Sequence, residues 1–168
     1  MSTKAQAGVN TQVFEIYIDA TAEAVWDAVT DPEWNAKYGY RGAQHYDLRP
    51  GGQYKVLANA EMRSMGLPEV IIDGEVLESK PPHKLVQTYR WLFTEESKAE
   101  GFTRITWDIV PTEAGFTRLT VTHELEGAPQ MAAAVASKFS TRGGGGWNWM
   151  LSDLKSLLET GKTMGSAH

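Results

Sequence analysis

The sequence contains no cysteine. That excludes disulfides, iron–sulfur ligation, cysteine-based zinc sites and a cysteine nucleophile. It also lacks any apolar run approaching the ~20 residues that a membrane-spanning helix needs, so no membrane insertion is expected. Clusters of one charge sign are missing too. The 16 Lys and Arg are scattered, and the net charge is −5, so the basic stripe of a nucleic-acid-binding surface is absent. Its four histidines never fall at metal-ligand spacing such as HExxH, and no metal or other cofactor is expected. No serine sits in a nucleophile elbow. Residues Met1 to Asn10 are polar and small. They are expected to form a flexible lead-in rather than a signal peptide, with a cytoplasmic location as the default.

What is present is alternation. Gln12 to Ile18 places Phe14, Ile16 and Ile18 on one face, a period of two that predicts a strand. Thr21 offers an N-cap for a short helix over Ala22 to Val29, and Asp31-Pro32 starts a second one, with Trp34 and Tyr38 four apart. Strands follow. Gly42 to Leu48 is weak; Pro50-Gly51-Gly52 is a turn before Gln53 to Leu57, where Tyr54 and Val56 share a face. Asn59 to Pro68 reads as a loop. Val70 to Ser79 carries Gly74 inside it, which suggests a bulge or bend. Lys84 to Phe93 is the longest clean alternation, with Leu85, Gln87, Tyr89, Trp91 and Phe93 on one face. Phe102 to Val110 sets Ile105, Trp107 and Ile109 together, and Thr117 to Leu125 sets Leu119, Val121, His123 and Leu125 together.

The last third changes period. Gln130 to Arg142 is Ala-rich and compatible with a helix, and Gly143 to Gly146 reads as a flexible hinge. From Trp147 to Thr160, Trp147, Leu151, Leu154 and Leu158 form one helical stripe, and Gly161 is the stop. Short turns between strands predict an antiparallel sheet, and runs of strands followed by a helix predict α+β. The 168 residues suit one domain over 11–161, with a flexible tail over 162–168. A chain of this size buries roughly 70% of its unfolded surface.

Several motifs also carry a resemblance. Val25-Trp26-Asp27-Ala28-Val29-Thr30-Asp31-Pro32, Pro50-Gly51-Gly52, Gly74-Glu75-Val76 with Pro81-Pro82, Leu85-Val86 to Trp91, Thr120-Val121-Thr122-His123, and Gly146-Trp147 with Leu151, Leu154 and Leu158 resemble, in order, the signatures of the homologues of the activator of the heat-shock-protein-90 ATPase. That family lies in the START-like, or helix-grip, superfamily. The resemblance implies a seven-stranded sheet curled around the last helix, two small helices plugging one end, and in many relatives a cavity for lipids, hormones or polyketides. The namesake chaperone activity belongs to a longer eukaryotic protein with an additional domain. A fold does not fix a function.

On this parity Gln87, Tyr89, Trp91, Trp107 and His123 point at the cavity, with Trp26, Trp34 and Tyr38 as a candidate entrance. The family usually has an aromatic where Gln87 stands, so that departure marks a candidate ligand contact. His123 has two readings: a ligand contact or general base, or a core histidine satisfied within the protein. The expected function is binding of a small apolar or amphipathic ligand, without a complete catalytic constellation. Two alternatives stay open: a cyclase- or dehydratase-like enzyme with His123 as base, and a chaperone-ATPase activator or stress-response protein. A homodimer and a chaperone are the macromolecular partners left open.

Overall fold

The computed structural model describes residues 10–136, 139–141, 143 and 145–164. Seven strands form one open antiparallel sheet in the order β1-β7-β6-β5-β4-β3-β2. They are β1 (Thr11–Ile18), β2 (Ala43–Tyr46), β3 (Gln53–Leu57), β4 (Val70–Lys80), β5 (Lys84–Trp91), β6 (Thr103–Pro111) and β7 (Thr117–Glu124). The helices are α1 (Ala22–Thr30), α2 (Pro32–Asn35), α3 (Ala60–Ser64), α4 (Glu95–Ala99), α5 (Pro129–Val135) and α6 (Gly146–Thr160). This is the α+β helix-grip arrangement.

Local chemistry accounts for most boundaries. The Thr21 hydroxyl accepts the Ala24 N–H at 3.1 Å and starts α1. Asp31 Oδ1 accepts the Glu33 N–H at 2.9 Å, ahead of Pro32 at the first position of α2. Each such cap satisfies a backbone donor that helix geometry leaves unpaired, worth about 1 kcal/mol. Gly161 closes α6 in the left-handed conformation (φ 78°), with its N–H on Leu157 O at 2.9 Å.

Two elements differ from the sequence expectation. The segment read as a loop contains α3, capped by Asn59 Oδ1 on the Met62 N–H at 2.8 Å. Between β5 and β6, α4 is held by a capping box between Thr94 and Ser97. Both helices span five residues, too short for a 3.6-residue period to emerge. The irregularity in β4 also lies elsewhere than expected: the register with β5 shifts between Val76 and Glu78. Gly74 has a different reason to be glycine. A Cβ there would sit 2.0 Å from Thr88 O, so the backbones of β4 and β5 approach closely.

The core lies between the concave face of the sheet and helices α1 and α6. Val25, Trp26 and Val29 of α1 and Trp147, Leu151 and Leu154 of α6 are buried against Leu85, Ile105, Ile109, Leu119 and Val121. On α6 the fourth buried position is Leu157, while Leu158 is only partly buried. Burying four large apolar side chains of α6 contributes roughly 6–12 kcal/mol of gross hydrophobic stabilisation. The helical stretch after β7 ends at Val135 in α5; Ser137, Lys138, Arg142 and Gly144 of the expected helix and hinge, residues 1–9 of the expected lead-in and 165–168 of the expected tail lie outside the described residues. Among the described residues no helix is long and apolar enough to cross a membrane.

Candidate functional site

A cavity of about 430 Å³ opens between the sheet and the first turns of α6. It is bounded by β3 to β6, by residues 38–42 after α2, by α3, and by the ends of α5 and α6 that face each other. The structure places Gln87, Tyr89, Trp91, Trp107 and Tyr38 on its wall. Strand alternation explains the first four, since inward residues repeat every second position.

Three candidate residues sit elsewhere. His123 does not line the cavity. It is fully buried beneath Trp147, whose indole N–H donates to its Nδ1 at 3.0 Å, and its Nε2 lies 2.9 Å from Thr103 Oγ1. An indole nitrogen only donates, so Nδ1 is the acceptor and the proton resides on Nε2. The Thr103 hydroxyl passes its own proton to Tyr89 O at 2.9 Å. Burial lowers the His123 pKa from its ordinary 6.5 to about 3. A neutral, enclosed and fully bonded imidazole matches the core reading and lacks the access a general base needs. Trp34 is likewise off the cavity, 36% exposed, with Lys37 Nζ 4.4 Å above its ring. The expected pairing of Trp34 with Tyr38 fails because α2 stops at Asn35 and Tyr38 lies beyond it. Trp26 is buried in the core and is not part of the wall.

The polar groups on the wall form a connected set. Gln87 is buried; its Oε1 accepts both Trp107 Nε1–H at 2.9 Å and Tyr46 Oη–H at 3.0 Å. The indole fixes the orientation of the amide, because only an oxygen can accept from it. The Gln87 amide lies near enough to Tyr54 to lower its hydroxyl in part, yet Nε2 makes no hydrogen bond of acceptable geometry. A buried donor left without an acceptor costs about 1–3 kcal/mol. Tyr54 Oη donates to Gln44 Oε1 at 2.8 Å. Tyr89 Oη accepts Trp91 Nε1–H at 3.2 Å, and its own proton meets no acceptor among the described residues. Burial drives the Tyr46 and Tyr54 hydroxyls well above their ordinary 10 and Tyr89 to about 12, so all three stay protonated near neutrality.

Wall residues that strand and helix periods did not single out include Tyr40, Arg41, Met62, Met65 and Met150. The first four lie in turns or in α3, where no period marks an inward face. Tyr54 and Val56 also line the cavity, and their shared face in β3 was the available signal. Among the described residues no three His, Asp or Glu side chains gather as a metal site would require.

A family model described as activator of Hsp90 ATPase homolog 1-like protein matches residues 19–159. No curated protein matches the chain. Among solved structures, protein MLL2253 from Mesorhizobium loti is similar at 20% identity, over 88% of this chain and 96% of that one, with a TM-score of 0.65. CalU16 from Micromonospora echinospora is similar at 20% identity over 73% of this chain, with a TM-score of 0.54, and the match spans 64% of its length. PFC0360w, an HSP90 activator from Plasmodium falciparum, is similar at 20% identity over 68% of this chain and 72% of that one, with a TM-score of 0.53. At these identities the likeness is one of fold.

Proposed function

The chain belongs to the activator of Hsp90 ATPase homolog 1-like family, and from that footing we propose that it binds a small apolar or amphipathic molecule in the cavity between sheet and α6. The observation that carries this reading is the cavity itself. At about 430 Å³ it falls within the ~300–1,000 Å³ range of ligand pockets. Its wall is aromatic and aliphatic with a few inward polar groups, among them Gln87, Tyr54 and Tyr89, the usual composition of such a site. Two hydrogen-bond donors on that wall, Gln87 Nε2 and Tyr89 Oη–H, make no hydrogen bond to an acceptor among the described residues. A ligand oxygen would relieve them.

An enzymatic cyclase-like reading with His123 as base is not supported by the geometry, for His123 is neutral, bonded on both nitrogens and covered by Trp147. Activation of a chaperone ATPase is said of the Plasmodium protein. A fold-level likeness does not carry it here.

A thermal-shift and native-mass screen against lipids and aromatic polyketides tests the binding reading. A ligand at 100 times its Kd stabilises by about 2.7 kcal/mol, which raises Tm by roughly 5–10 °C for a chain of this size. The shift should disappear when the exposed wall residue Ala134 is enlarged by Ala134→Trp. A screen in which nothing shifts Tm, or in which the shift survives that substitution, overturns the proposal.

A further inference from the structure

The charge pattern of the wall narrows the ligand class, an inference that rests on the binding reading above. Among the described residues that line the cavity only Arg41 is charged, and none is a carboxylate. In a chain of net charge −5 a cation with no carboxylate beside it among the described wall residues is the opposite of the average surface. The Arg41 side chain is exposed, and it enters no ion pair or side-chain hydrogen bond among the described residues.

Its backbone is also held in an unusual way. Arg41 has φ 61° and is the one non-glycine residue with positive φ among the described residues. That conformation costs an L-residue about 1–2 kcal/mol, and such outliers gather at ligand-contacting positions. The neighbours enforce it. A Cβ on Gly42 would lie 2.7 Å from Val56 Cγ1, and one on Gly39 would lie 2.9 Å from Met150 Cγ. The Gly39 N–H is fixed on Asp153 Oδ2 at 2.9 Å. The turn is therefore clamped between β3 and α6, with Arg41 at the cavity rim.

Two further donors on the wall, Gln87 Nε2 and Tyr89 Oη–H, have no hydrogen-bond acceptor among the described residues. The inner surface carries rings on several sides: Tyr54 and Tyr89 are stacked with centroids 6.2 Å apart, and Trp107 meets Trp147 edge-on at 5.4 Å. The cation at the mouth selects an oxygen acceptor with negative charge, and ring walls select a flat apolar body. We propose that the cavity takes an aromatic carboxylate, its ring among Tyr54, Tyr89 and Trp107 and its carboxylate on the Arg41 guanidinium at the mouth.

Calorimetric titration with 2-naphthoate and its neutral counterpart 2-naphthamide, at pH 7 in low salt, isolates the charge. The expected result is about 2- to 5-fold tighter binding of the acid by the native protein, in line with an ion pair made by an exposed guanidinium. Arg41→Gln should abolish that preference, so that acid and amide bind alike, while Arg41→Lys should retain part of it. Raising the salt should shrink the preference in the native protein. Equal affinity for acid and amide, or a preference that persists in Arg41→Gln, overturns the assignment. Decanoate binding more tightly than naphthoate overturns its aromatic part. If neither naphthyl probe binds while members of the wider screen do, this inference falls and the binding reading stands. If nothing binds in either experiment, both fall.

Discussion

Replacing His123 by leucine separates stability from titration at one buried site. At pH 7 the substitution leaves the Trp147 indole N–H without its acceptor, which now lies at 3.0 Å, and removes the 2.9 Å contact with Thr103. An orphaned buried donor costs about 1–3 kcal/mol, so His123→Leu is expected to lose about that much. The pH dependence runs the other way. His123 has its folded pKa lowered to about 3, against roughly 6.5 in the unfolded chain. Between those values the unfolded state binds one more proton than the folded state, so stability rises with pH. The stabilisation from keeping the imidazole neutral is complete above about pH 6.5 and drains away as pH falls towards 3. At 1.36 kcal/mol per unit, the native protein loses about 2 kcal/mol between pH 7 and pH 5 through this residue alone, a loss the leucine variant does not share. The gap between the two proteins should therefore close, or reverse, at pH 5. Urea unfolding of both proteins at the two pH values measures it, and ionisations common to both cancel in the difference. A gap of the same size at pH 7 and pH 5 would refute the reasoning. So would an NMR titration placing the His123 pKa near 6, which would also restore it as a base.

Two further substitutions probe the frame around the cavity. Gly74→Ala is expected to destabilise by about 3 kcal/mol or more, because the new Cβ would meet Thr88 O at 2.0 Å and backbone yields poorly to overpacking; a denaturant midpoint within error of the native one would show that the strands can separate freely there. Asp153→Ala removes the acceptor of the Gly39 and Met164 N–H groups, at 2.9 and 2.6 Å. It should cost about 2–6 kcal/mol at roughly 1–3 kcal/mol per stranded group, and it should also weaken binding of any ligand that depends on Arg41; an unchanged unfolding curve would show that α6 does not clamp the 39–42 turn.

The amino-acid sequence alone determined the succession of strands along the chain, the helix over 147–160 and the inward face of β5 and β6. Each of these is a matter of local period: two for a strand that is wet on one side, 3.6 for a helix with one buried stripe. Gln87, Tyr89, Trp91 and Trp107 could be set on the wall from alternation alone. Parity assigns a face, however, and not what covers it. His123 shares the inward parity of Leu119 and Val121, but the first turn of α6 lays Trp147 over it, and only the path of that helix across the sheet decides which inward positions become core and which border the cavity. The rim was decided by tertiary structure as well. Arg41 carries no periodic signal, and its place at the mouth follows from a turn squeezed between Val56 and Met150, residues distant from it in the chain.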